Sequence, residues 1–284
     1  FRTVVFDTRA DALARARKQT EGFFAKSVER RKLTQEQVDG ILGGLSGTTK
    51  IEDMAQCDVV IEAVFEDLAV KTAFWREVDR LAPAGAILAS NTSSISIDRL
   101  AAAVGEGRRP RFVGMHFFSP VPVMPLVEIV RPITASNETI DRATDFVSKI
   151  GKEGVHVLDR AGFIVNALLF PYLNNAVRML ENGTATAEDI DTAMKGGCNF
   201  PMGPFALLDL VGLDTSLAIL DALEAKVGKA GVGQHLIAIT EATGRPVRFV
   251  GRPDIGPLGA FMRRVGALLE RPDDIRTALH HREL

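Results

Sequence analysis

The stretch CDVVIEAVFEDLAVKTAFWREVDRLAPAGAILASNTSS, residues 57–94, decides the fold. Asp58 to Val64 is a nearly unbroken apolar run, the pattern of a strand buried on both faces of a parallel sheet. Leu68 to Leu81 has helical periodicity and contains the only tryptophan, Trp75, which reads as core. Ala86 to Ala89 is a second short apolar strand, and it ends in the polar tip Ser90-Asn91-Thr92-Ser93-Ser94. Strand, helix and strand in succession make an α/β unit, and polar residues at a strand's C-terminal tip lie where open α/β sheets bind ligands. The competing reading of that tip is a polar loop with Ser94 as the cap of the next helix.

Downstream, FVGMHFFSPVPVMPLVEIVR (112–131) places His116 between apolar runs, with Glu128 twelve residues on. The Pro-rich segment between them forms turns, because proline fixes φ and removes a donor. A strand, a turn and a returning strand would bring Glu128 beside His116. A carboxylate on one imidazole nitrogen fixes the tautomer and leaves the other as a general base. The alternative is a core histidine with an unrelated strand glutamate. Asn137 to Ile150 reads as a helix, and Gly154 to Val157 as a last short strand carrying a structural His156.

Upstream, Thr3 to Phe6 is a strand-like run that ends in Asp7. Such an acid matches the ribose-binding aspartate at the tip of the second strand of a Rossmann unit, and equally a cap or turn residue. Residues 11–45 form two amphipathic helices broken near Leu33, where Thr34 to Gln37 has a capping-box pattern. Arg30, Arg31 and Lys32 beside the break can receive a phosphate or simply end a helix in solvent. The glycines from Gly40 to Gly47 close the second helix and are not spaced as a dinucleotide loop.

After Asp159-Arg160-Ala161-Gly162 the chain turns helical. Phe163 to Leu180 is a long helix, Thr186 starts another, and Phe200-Pro201-Met202-Gly203-Pro204 is a tight turn before a third. The domain boundary falls near residue 160, and the helical domain has more apolar face than one small bundle needs, as for a subunit interface. From Gly244 onward the tail is rich in Arg, Pro and Gly, with some helix between Leu258 and Leu269, and His280-His281 reads as a loose end and not as a metal site.

The net charge of −2 over 284 residues argues against a nucleic-acid or anionic-membrane surface, and no apolar run approaches the roughly 20 residues of a membrane span. Two cysteines, Cys57 and Cys198, without metal-like spacing, fit a reducing compartment such as the cytoplasm. No metal site is expected.

Together, residues 59–71, 87–97, 112–131, 161–176, 188–194 and 200–215 resemble the L-3-hydroxyacyl-CoA dehydrogenase family, most closely its short bacterial 3-hydroxybutyryl-CoA type, in colinear order from Phe1 to about residue 240. The resemblance implies a Rossmann-like α/β domain over 1–160, with an inserted helical hairpin that contacts CoA, and an all-α substrate and dimerisation domain over 161–284. It implies NAD as cofactor, an acyl-CoA substrate of short chain, a homodimer and a place in fatty-acid β-oxidation. His116 would be the general base, Glu128 its orienting partner, and Ser93 and Asn166 would hold the substrate oxygen. Asp7 would take the ribose, and Glu66, Lys71, Asn91, Ser93 and Ser119 would lie near the cofactor.

Three departures set further expectations. The family's opening strand and G-x-G-x-x-G turn do not precede Asp7, so the sheet should carry a gap and the chain should lack about 25 residues, the size of a strand, turn and helix. Ser119 stands where the short-chain enzymes have Asn. The family's tyrosine-containing C-terminal signature is replaced by the Arg/Pro/Gly-rich tail. The competing functions are a related sugar-acid or hydroxy-acid dehydrogenase and a non-catalytic relic that keeps the helical dimer.

Overall fold

In the computed structural model, residues 1–227 are described; the tail from Gly244, the helix expected at 258–269 and the His280-His281 pair lie outside them. The chain opens with strand β1 (Thr3–Phe6), helix α1 (Ala10–Glu29), helix α2 (Gln35–Gly43) and strand β2 (Leu45–Thr48). Thr34 starts α2 through a full capping box with Gln37, so two orphan helix-end donors are satisfied reciprocally. β2 corrects the expectation that the glycines up to Gly47 only close a helix. Its four residues pair in parallel with β1, Val4 opposite Ser46.

The α/β alternation then follows: strand β3 (Val59–Glu62), helix α3 (Leu68–Leu81), strand β4 (Ile87–Ser90), helix α4 (Ile97–Ala101), strand β5 (Phe112–Phe117), strand β6 (Leu126–Arg131), helix α5 (Asn137–Lys149) and strand β7 (Glu153–Leu158). Asp67 caps α3 by accepting from the amides of Ala69 and Val70, and Ser136 caps α5 through Thr139 N–H. α4 begins at Ile97, so the residue before it is Ser96, not the expected cap Ser94; the Ser96 hydroxyl donates to Asp159 at 2.6 Å.

Two sheets result. β1 and β2 form one, and β3-β4-β5-β6-β7 the other, parallel from β3 to β5 and antiparallel between β5 and β6. Among the described residues no hydrogen-bonded ladder joins β1 to β3, which is where the expected gap falls. Val4, Val5 and Ile61, on the flanking strands, are each more than a third exposed. The two sheets are tied instead by aromatic rings: Phe6 of β1 stacks on Phe74 of α3, and Trp75 packs edge-on against Phe112 of β5 with centroids 4.8 Å apart. Trp75 is fully buried, as its place in the sequence implied. Gly114 in β5 is required by close packing, since a Cβ there would lie 2.7 Å from Val130 and 2.9 Å from Ile97.

Helices α6 (Val165–Glu181), α7 (Ala187–Cys198), α8 (Pro204–Val211) and α9 (Leu213–Val227) complete the described chain. The contacts divide it into a first unit of residues 1–92 and 97–155 and a second of residues 93–96 together with the chain from His156. Within the second, Phe170, Leu173, Val177, Ile190, Phe205, Leu208 and Leu220 form the core. Thr186 caps α7, Asn199 ends it in the left-handed conformation, and Asp191 accepts the amides of Phe205 and Ala206 at the start of α8. Gly162 opens this unit at φ +71, with Ala167 N only 2.8 Å from where a Cβ would stand, so the turn needs glycine. Among the described residues no helix is long and apolar enough to cross a membrane.

Candidate active site

β5 and β6 pair in the register His116–Glu128, the two residues directly opposite each other. Both side chains therefore leave the same face of the sheet. His116 Nδ1 lies 2.7 Å from Glu128 Oε2, and both residues are buried, at 4% and 0% exposure. With Nδ1–H facing the carboxylate, Nε2 is the nitrogen left for proton exchange, and the negative charge would stabilise an imidazolium. Phe118 packs on the imidazole at a centroid distance of 4.5 Å. The Pro-rich connection is held by Lys152, whose ammonium donates to Val121 O and Met124 O, both at 2.7 Å. Lys152 had no signal in the sequence, because its partners are main-chain carbonyls of a distant turn. Ser119, at the start of that connection, is exposed and joins Pro120 through a cis peptide.

Of the residues expected near a cofactor, Asp7, Glu66 and Asn91 follow strands of the same unit, and Lys71 lies in α3. Asp7 directly follows β1; its Oδ1 accepts Arg9 N–H at 2.8 Å, an Asx turn that accounts for the turn-residue reading and uses one carboxylate oxygen. Glu66 follows β3, and its side chain is 37% exposed. Lys71, in contrast, is 1% exposed, and its ammonium faces Glu62 at 2.5 Å, Val64 O at 3.1 Å and Glu66 at 3.1 Å. An ammonium has three donors, so all of Lys71's are engaged by the protein. Asn91 follows β4, and its Oδ1 accepts Phe117 N–H at 2.8 Å. Carboxylates and amides at the C-terminal ends of parallel strands are the donor and acceptor set a dinucleotide needs for its ribose and amide groups. The residues present fit such a cofactor.

In the second unit, Asn166 sits in the first turn of α6 and is 7% exposed, its Nδ2 3.5 Å from Ser93 O. Thus Ser93 and Asn166 are brought together there, and His116 and Glu128 in the first unit. Arg30 to Lys32 end α1 in solvent, with Arg31 at φ 55.

An imidazole–carboxylate pair on a parallel-dominated sheet with polar strand tips defines the class: a dinucleotide-dependent dehydrogenase. The family follows from comparison. Residues 1–160 match the model of the 3-hydroxyacyl-CoA dehydrogenase NAD-binding domain, and residues 162–242 that of the 3-hydroxyacyl-CoA dehydrogenase C-terminal domain. The chain belongs to the 3-hydroxyacyl-CoA dehydrogenase family, whose cofactor is NAD. It is 43% identical over 242 residues to a 3-hydroxybutyryl-CoA dehydrogenase of Mycobacterium tuberculosis, covering 84% of each chain. It is 44% identical over 224 residues to the mitochondrial hydroxyacyl-coenzyme A dehydrogenase of Sus scrofa, covering 77% of this chain and 71% of that one. The solved structure of (S)-3-hydroxybutyryl-CoA dehydrogenase from Ralstonia eutropha superposes with a TM-score of 0.82 at 34% identity, over 90% of this chain and 89% of that one.

Proposed function

We propose that the protein interconverts short L-3-hydroxyacyl-CoA and 3-oxoacyl-CoA, of the size of 3-hydroxybutyryl-CoA and acetoacetyl-CoA, with His116 as general base. The observation that carries this reading is the buried 2.7 Å contact of His116 Nδ1 with Glu128. NAD supplies the hydride acceptor. As the C3–H bond breaks and its electron pair leaves as hydride, His116 Nε2 takes the proton of the 3-hydroxyl, and the hydroxyl becomes a carbonyl. In the reverse direction the imidazolium protonates the forming alkoxide. Glu128 keeps the ring oriented and offsets its positive charge in both directions. Ser93 and Asn166 donate hydrogen bonds to the substrate oxygen, where charge develops. Asp7 takes the adenosine ribose, and Glu66, Asn91 and Ser119 line the cofactor.

The working form is a homodimer formed through the helical unit, whose Leu168 and Leu210 are 71% and 67% exposed, and its setting is the cytoplasm, in keeping with two free cysteines. Sedimentation of the full chain should give twice the 30.7 kDa chain mass; a monomer at micromolar concentration would overturn the dimer.

The test of function is NADH oxidation with acetoacetyl-CoA. Saturable turnover that free CoA inhibits competitively is expected. Turnover with free 3-oxo or sugar acids but not with the thioester would move the protein to the hydroxy-acid reading. No saturable NADH binding would make it a relic.

A further inference from the structure

A second concentration of buried charge lies at the C-terminal ends of β3 and β4, and the proposed proton transfer does not use it. Glu62 is 1% exposed, Lys71 1%, and Ser90 and Thr92 0%. Their contacts close a ring. Glu62 Oε1 receives Lys71 Nζ at 2.5 Å and also the amide of Val64 at 2.8 Å. Lys71 reaches Glu66, whose other oxygen accepts the Thr92 hydroxyl at 2.5 Å. Thr92 N–H points at Ser90 Oγ at 3.3 Å, and Ser90 Oγ returns to Glu62 Oε2 at 2.7 Å. Taking an ammonium and a carboxylate out of water is costly, and such a pair stabilises a fold no better than apolar packing of the same volume.

Asn91 stands in the chain between two members of the ring, Ser90 and Thr92. Its amide donates to Glu62 O at 2.8 Å. The parallel β4–β5 ladder ends at Ser90–Gly114, short of His116. Beyond that point β5 is paired with β6 on one side, and on the other the Asn91 side chain takes the Phe117 amide at 2.8 Å. On its β4 side, the end of the strand that carries the imidazole is thus held by one side chain, borne by the Ser90–Thr92 segment that the ring ties down.

We propose that Glu62 is a positioning residue for the dehydrogenase reaction: through Lys71 and Ser90 it locks the Ser90–Thr92 tip so that Asn91 holds the His116 end of β5. The inference rests on His116 being the base.

The test measures kcat with acetoacetyl-CoA per NADH-binding site, the KM for acetoacetyl-CoA, and the melting temperature, in the full chain. Glu62→Gln should lower kcat about 10- to 100-fold, as removal of an outer-shell orienting partner does, with KM within about twofold. Ser90→Ala, which removes one hydroxyl and leaves the ion pair, should lower kcat in the same sense by a smaller factor. Glu62→Gln/Lys71→Met leaves no unpaired buried charge and should melt near the native temperature while kcat stays low. Native kcat per binding site in Ser90→Ala, or full recovery in the double variant, would reduce the ring to a stability element and overturn the proposal. Should Glu62→Gln fail to fold, Ser90→Ala decides alone. His116→Ala is run beside them: native activity in that variant would sink the base assignment, not the ring.

Discussion

His116 and Glu128 face each other across the β5–β6 pair with Nδ1 and Oε2 at 2.7 Å, and the strand register itself puts them there. No loop has to close to form the pair. His116→Ala should therefore leave the sheet standing and remove only the proton acceptor. The expected loss in kcat is about 10²–10⁴-fold, the range for a general base, with NADH affinity near native by fluorescence titration. Equal losses in kcat and NADH affinity would mark a structural histidine.

Glu128→Gln tests the charge separately from the contact. Glutamine has the size to fill the fully buried Glu128 position and can still accept from Nδ1–H. It cannot offset the imidazolium. Turnover should fall by about 10²-fold or more, as in other histidine–carboxylate pairs whose acid is made neutral, while the melting temperature changes little. A pH–rate profile identical to the native one would contradict the orienting role.

Much of this was legible in the sequence for a physical reason. Strands buried on both faces must be apolar runs, so β4 and β5 announce themselves; β3 reads the same way although Ile61 leaves one of its faces open, and Trp75 falls on the stripe that α3 turns inward. The same stripe holds Lys71, four residues before Trp75 and seven before Val78, and all three are buried. A lysine at that spacing, with Glu62 inside an apolar strand, was the signal of the ring. It needed the β3–α3 geometry to become a contact. β2 was missed because Leu45 to Thr48, with a glycine and a serine in four residues, has no apolar run and is half-exposed along its length. Ser94 was misplaced as a cap because five of the six residues between β4 and α4 are polar and only the backbone selects among them.

The two cysteines should separate by reactivity. Burial, with the Asp58 charge beside it, raises the Cys57 thiol above its usual range, while Cys198 is exposed at the end of α7. The thiolate is the nucleophile, so a limiting amount of iodoacetamide at pH 8 should label Cys198 first. Peptide mapping that found Cys57 modified at the same rate would show that β3's approach is more open than the structure has it.

Two glycines near and within α7 should respond oppositely to alanine. At Gly203 a Cβ would stand 2.3 Å from Asp191 Cγ and 2.4 Å from its Cβ. Those atoms sit close to the α7 backbone and cannot swing away as a side-chain tip would. Asp191 must shift, and with it go its bonds to Phe205 and Ala206, at 2.8 and 3.0 Å, which cap α8. Losing a charged cap and adding overlap should cost about 2–4 kcal/mol. Gly196, inside α7 with nothing within 4 Å of its added Cβ, should gain about 0.5–1 kcal/mol as alanine, because glycine loses more backbone entropy in a helix. Urea midpoints of the two variants should therefore move to opposite sides of the native value. If Gly203→Ala left the midpoint in place, the α7–α8 turn would have to be looser than the Asp191 cap implies.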